Sequence, residues 1–181
     1  SAVEDLEREV RKLIRDLEDL IRRLEERNKR IAEEIEKLNE ELNRENKRIA
    51  DEIRRIKDER GTDEEVAERI KRLLDDAARA HRELDREVER LLKEAEDEHK
   101  KLADEIRKLL ARVDKALKDL RKDVSEEALE RLKRELRKLA EELKKVLKRS
   151  RDHLKEVKRR HDENIKRSDD HLKRVADEAR K

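Results

Sequence analysis

The chain has 181 residues, 59% of them charged, with 54 Lys and Arg against 52 Asp and Glu for a net charge of +2. It has a single Gly and no Pro, Cys, Met or aromatic residue. This composition excludes thiol and disulfide chemistry, an aromatic base-stacking platform and the basic stripe of a nucleic-acid binder. No apolar run approaches the ~18 residues of a membrane span, and no signal peptide is expected. Charge this dense often means disorder. Here the 33% of apolar residues are spaced regularly and the charges are mixed in sign. That pattern belongs to long amphipathic helices with salt-bridged outer faces.

Three helices follow in chain order, over about residues 2–60, 63–122 and 126–180 of one domain. Ser1 with Glu4 reads as a capping box for the first. Gly61 is expected to end it in a left-handed conformation. Thr62 with Glu65 forms a second capping box. The turn Asp123-Val124-Ser125 follows helix two, with Ser125 as the N-cap of helix three. Connections this short make successive helices antiparallel neighbours. The fold class is all-α: a straight antiparallel up-down-up three-helix bundle.

The apolar stripes set the geometry. In helix two they run through Val66, Ile70, Leu73, Ala77, His81, Leu84, Val88, Leu91, Ala95 and His99, and then repeat. The steps are 4, 3, 4, 4 and 3, which make an eighteen-residue period of five whole turns. A strict heptad would impose a left-handed supercoil, whereas this period keeps the stripe straight. In helix one Asn28-Lys29-Arg30-Ile31-Ala32 recurs as Asn46-Lys47-Arg48-Ile49-Ala50.

Polar residues ride on the same period. Asn28 and Asn46, His81 and His99, His153 and His171, and Ser150 and Ser168 are each eighteen apart. A turn at Gly61 levels residues of helices one and two whose numbers total roughly 123–127; Asn28 with His99 and Asn46 with His81 both total 127. Two layers are therefore expected, Asn28–His99–Ser150/His153 and Asn46–His81–Ser168/His171. Asn43 comes level with Ser168. Asn39, His161 and Asn164 form a looser layer between them.

Neutral imidazole has one donor and one acceptor, and an Asn amide has both kinds, so alternating them satisfies every group without water. Leaving one buried partner unpaired costs ~1–3 kcal/mol. Imidazolium has no acceptor, and its charge is poorly tolerated among aliphatic side chains. The sequence therefore predicts a bundle that is ordered near neutral pH and loosened in acid. The stretches Val3–Leu24, Leu102–Leu120 and Leu129–Leu147 carry no core histidine and are expected to resist, while helix three from Ser150 onward is expected to yield first.

The stripe, the segment ENKRIADEI at Glu45–Ile53, and the pair SRDHLK at Ser150–Lys155 and SDDHLK at Ser168–Lys173 resemble de novo designed, parametrically generated helical bundles with buried hydrogen-bond networks. The pH-responsive members are the closer likeness. The resemblance implies a synthetic protein held together by His–Asn networks near neutrality. Some relatives are homo-oligomers of hairpins, and some disrupt membranes after acidification. This chain departs from them in having three helices and no aromatic or Ile-rich lytic face.

Competing chemistries find less support. Zinc at His99 with His153, or His81 with His171, lacks HExxH or i, i+4 histidine spacing, so no metal or cofactor is expected. A filled bundle implies no catalytic pocket, so the chain is not expected to be an enzyme. His153 and His171, at a stripe edge, leave room for a homotrimer. A single chain needs no partner, and membrane binding enters only at low pH.

Overall fold

The computed structural model describes residues 2–59, 61–121 and 125–181, without the side chains at 2, 3, 6 and 120. Ser1, Arg60, Lys122, Asp123 and Val124, on which the first capping box and most of the second turn were expected, lie outside the described residues. Three helices are present: α1 over Ala2–Asp58, α2 over Asp63–Leu120 and α3 over Glu126–Arg180. They pack as a three-helix bundle. Among the described residues no helix is long and apolar enough to cross a membrane.

The helix starts follow their caps. Thr62 Oγ1 accepts the Glu65 amide at 3.2 Å, and Ser125 Oγ accepts the Ala128 amide at 3.4 Å. Each satisfies an orphan N–H that the helix itself leaves open. Acidic residues crowd the first turns (Asp63, Glu64 and Glu65 in α2), opposite the positive end of the helix dipole.

The end of α1 departs from expectation. Gly61 does not take positive φ, and no described residue does. Instead the helix tightens, with the Glu59 amide donating to the Ile56 carbonyl at 3.2 Å. Such an i→i−3 bond closes a last turn without a left-handed residue. A Cβ at Gly61 would meet Glu65 Oε2 at 3.5 Å and Val66 Cγ2 at 3.7 Å, ordinary contact distances. Neither backbone nor packing requires glycine here.

The chain divides into two compact units, and every helix contributes to both. Unit 1 comprises residues 1–30 and 94–153, and unit 2 comprises 31–93 and 154–181. In unit 1, Val10, Leu13, Val113, Leu117, Leu129, Leu132 and Leu136 form one apolar cluster. Leu17, Ile106, Leu139 and Leu143 form another. In unit 2 the cluster contains Ile49, Ile53, Ile56, Ile70, Leu172 and Val175, with the small Ala50, Ala77, Ala176 and Ala179 between them. Each fully buried Leu or Ile contributes about 1.5–3 kcal/mol, so a core of large residues holds more per turn than one with four alanines among its ten buried residues. In both units the eighteen-residue stripe is the buried face. From Val66 to Leu117 every stripe position of α2 is buried or half-buried.

Outside, arginines pair with carboxylates one turn earlier, as in Glu45–Arg48, Glu87–Arg90 and Glu156–Arg159, each at 2.5 Å. Acid N-terminal to base suits the helix dipole. The guanidinium hydrogen bond holds the Glu45, Glu87 and Glu156 carboxyls below their usual range.

Candidate functional site: three buried histidines

Asn28, Asn46, His81, His99, Ser150 and His161 are the buried polar side chains among the described residues. Asn39 and Asn164 are half-buried. They gather into one network in unit 1 and two in unit 2.

In unit 1, His99 is 2% exposed. Its Nδ1–H donates to the Ala95 carbonyl one turn back, at 2.6 Å. That bond fixes the tautomer and leaves Nε2 as an acceptor. Nε2 receives the Ser150 hydroxyl at 2.7 Å and the Asn28 amide at 3.3 Å. Each ring nitrogen thus has what a neutral imidazole needs. Arg27 and Glu98, which neighbour Asn28 and His99 in sequence, pair with each other. Among the described residues no carboxylate hydrogen-bonds the His99 ring.

In unit 2 the rings meet different partners. His161 is 3% exposed. Nδ1 faces Asn39 Oδ1 at 3.0 Å, and Nε2 faces Asp85 Oδ1 at 2.6 Å. Both partners are acceptors. Asn39 is held in this sense from two sides, because its Nδ2 donates to the Ile35 carbonyl at 3.0 Å and its Oδ1 also accepts from Asn164 Nδ2 at 2.9 Å. A neutral ring has one N–H and would leave a lone pair aimed at one of two oxygens. The geometry fits a ring that donates twice.

His81, also 3% exposed, is similar but less constrained. Nδ1 faces Asp169 Oδ1 at 2.5 Å and Nε2 faces Asn46 Oδ1 at 2.9 Å. Asn46 Nδ2 is buried without a partner. Turning that amide over would offer Nε2 a donor, so His81 can be satisfied either charged or neutral. The two carboxylates are about half exposed, 45% for Asp169 and 46% for Asp85. Their outer oxygens stay in water, which lowers the desolvation cost that burdens a fully buried ion pair.

The expected layers are therefore partly assembled. Asn28, His99 and Ser150 meet, as do Asn46 with His81 and Asn39 with His161 and Asn164. His153 and His171 do not join them; both are exposed. The reason is angular: each sits three residues past an inward-turned serine, about 60° off the stripe centre. Asn43 is exposed, and it lines a shallow groove with Asn46, Asn164, Ser168 and His171. Ser168 is half-buried and does not reach His81. The carboxylate of the next residue takes that place, since a charged acceptor bonds about twice as strongly as a neutral one.

Asp85 and Asp169 are the partners that sequence reasoning missed. A register signal was present. His99 with Ser150 totals 249, and the same sum places His81 beside residue 168 or 169 and His161 beside residue 88. Asp85 also lies one turn from His81, on the same face of α2. Exact eighteen-residue matching favoured Ser168 over its neighbour.

No protein-family model matches the chain, and no curated protein matches it. A solved structure described as a computationally designed three helix bundle does, with a TM-score of 0.55 at 20% identity, covering 98% of this chain and 83% of that one. The likeness is one of fold.

Proposed function

We propose that this chain is a designed helical bundle whose function is conformational, a scaffold ordered near neutral pH and loosened in acid through His99. The observation that carries the reading is the environment of His99, a ring at 2% exposure whose partners all suit the neutral form. A proton on Nε2 would meet the Asn28 amide hydrogens and place a cation where no carboxylate hydrogen-bonds it. Asn28 faces it from α1 and Ser150 from α3, with His153 exposed one turn on, and Glu98, next to His99 in sequence, is engaged by Arg27. The unfolded chain, with its imidazoles in water, takes that proton freely. Folding then gains stability with rising pH wherever the unfolded state binds more protons. On this reading the contribution of the His99 network to unit 1 is present at neutral pH and weakened in acid.

His81 and His161 do not add to this response. Each becomes an ion pair when charged. Departing from the expectation that helix three from Ser150 onward yields first while residues 102–120 and 129–147 resist, this reading puts the acid response in unit 1 around His99. A single chain suffices for it, since no large hydrophobic side chain is exposed among the described residues.

Denaturant unfolding of the full chain at pH 7.5 and pH 5.0 tests the reading. The parent midpoint should fall in acid, and most of that fall should vanish in His99→Asn. An equal fall in parent and variant assigns acid loss to surface carboxylates and ends the proposal.

A further inference from the structure

We infer that Asp85, His161 and Asp162 form a binding site for a divalent transition metal, with zinc the best fit. Their ligand atoms lie within 4.8 Å of one another, and they come from facing helices α2 and α3. Two carboxylates on a surface would carry no such inference. The second observation is the buried His161 ring, 3% exposed, whose Nε2 faces Asp85. Asn39 Oδ1 must take the Nδ1–H of His161, because the Ile35 carbonyl and Asn164 hold that amide in place. The Nε2 lone pair is then aimed at the Asp85 carboxylate. Nitrogen lone pair and carboxylate facing each other require a cation between them. A proton serves, and so does a metal ion.

The chemistry around the ring suits a metal. Metal-bound histidines characteristically donate their other N–H to a carbonyl or carboxylate, which fixes ring orientation and raises ligand basicity. Asn39 does this from α1. Zinc takes imidazole nitrogen at about 2.0–2.1 Å and carboxylate oxygen at about 2.0–2.2 Å, in tetrahedral geometry. Nε2 and Asp85 Oδ1, now 2.6 Å apart, must separate to admit it. Asp85 is 46% exposed and free to turn outward, and Asp162 is exposed. Three protein ligands leave a fourth position for water. Among the described residues no Lys or Arg hydrogen-bonds these three side chains. On the outer face of α3, Arg159 is engaged by Glu156 and Glu163. Metal and proton compete for Nε2, so metal affinity should fall with falling pH.

The inference rests on His161 and is independent of the acid response of His99. The test is the thermal midpoint of the full chain at pH 7.5 across a zinc titration, with visible absorption of the Co²⁺-loaded protein as a direct readout. The midpoint should climb with zinc, since a ligand bound only by the folded state stabilises it by mass action. Asp162→Asn leaves the His161–Asp85–Asn39 bonds intact, yet should weaken zinc binding 10-fold or more. His161→Gln should abolish both the zinc effect and the cobalt bands. A parent with no zinc-dependent shift and no cobalt absorption overturns the inference. So does a zinc effect that survives Asp162→Asn and disappears in the double variant His153→Gln, His171→Gln, which would locate the metal on exposed imidazoles.

Discussion

His99 in unit 1 and His161 in unit 2 are about equally buried, at 2% and 3% exposure, yet their hydrogen-bond partners suit opposite proton states. Burial alone does not decide the charge of a ring. His99 meets two donors at Nε2, whereas His161 meets an acceptor at each nitrogen. The sign of the pH response follows. On the reading proposed above, charging His99 weakens unit 1. A neutral His161 would lack an N–H for one of the two acceptors it faces, so its contacts favour the opposite proton state from those of His99.

The largest perturbation expected is to the apolar core rather than to the rings. Leu17, at 0% exposure in unit 1, should cost about 2–5 kcal/mol as Leu17→Ala. Hydrogen exchange should show amides of residues 94–120 opening more than those of residues 63–93. Equal opening would mean that the two units unfold as one. Next in size is His99→Asn, which should cost about 1–3 kcal/mol at pH 7.5 through unpaired buried groups while flattening the acid response. Asp85→Asn and Asp169→Asn sharpen the comparison from the other side. Each removes a half-exposed carboxylate from a buried ring and should cost about 1 kcal/mol in mild acid. The double variant should make unit 2 acid-sensitive too, seen as early exchange over residues 63–93 at pH 5.0. If acid exchange in unit 2 is unchanged, these carboxylates do not partner charged rings.

Smaller effects bear on the ends and the surface. Gly61→Ala should stabilise by about 0.4–1 kcal/mol, because the folded φ and space accept a methyl group while the unfolded chain loses freedom. A lower melting temperature would mean the turn needs glycine after all. The lowered carboxyls of Glu45, Glu87 and Glu156 contribute stability that is present above the usual carboxylate range near about 4.3 and lost as pH falls through their lower folded values. These pairs are solvent-exposed and screened. They should add only a shallow, salt-sensitive decline well below the histidine range, visible in a midpoint-versus-pH curve that His99→Asn does not alter.

Much of the architecture was legible in residue order. An eighteen-residue stripe on a 3.6-residue helix has one direction, and Thr62 and Ser125 mark starts that their hydroxyls occupy. The register of Asn28 with His99 and of Asn46 with His81 followed from turn position alone. Periodicity is a local property, written along one helix. The end of α1 was less legible, because a short turn can close by a tightened last bond as well as by a left-handed glycine.

Only the tertiary structure decided which acceptor each ring faces. Ser168 and Asp169 differ by one residue, or about 100° around α3, and height matching cannot separate them. That choice fixes whether a buried imidazole suits charge or neutrality. The sequence by itself placed His81, His99 and His161 inside. Packing of three helices determined what stands opposite each nitrogen, because hydrogen-bond chemistry is resolved over a few tenths of an ångström and an angle, while sequence spacing resolves only a face and a turn.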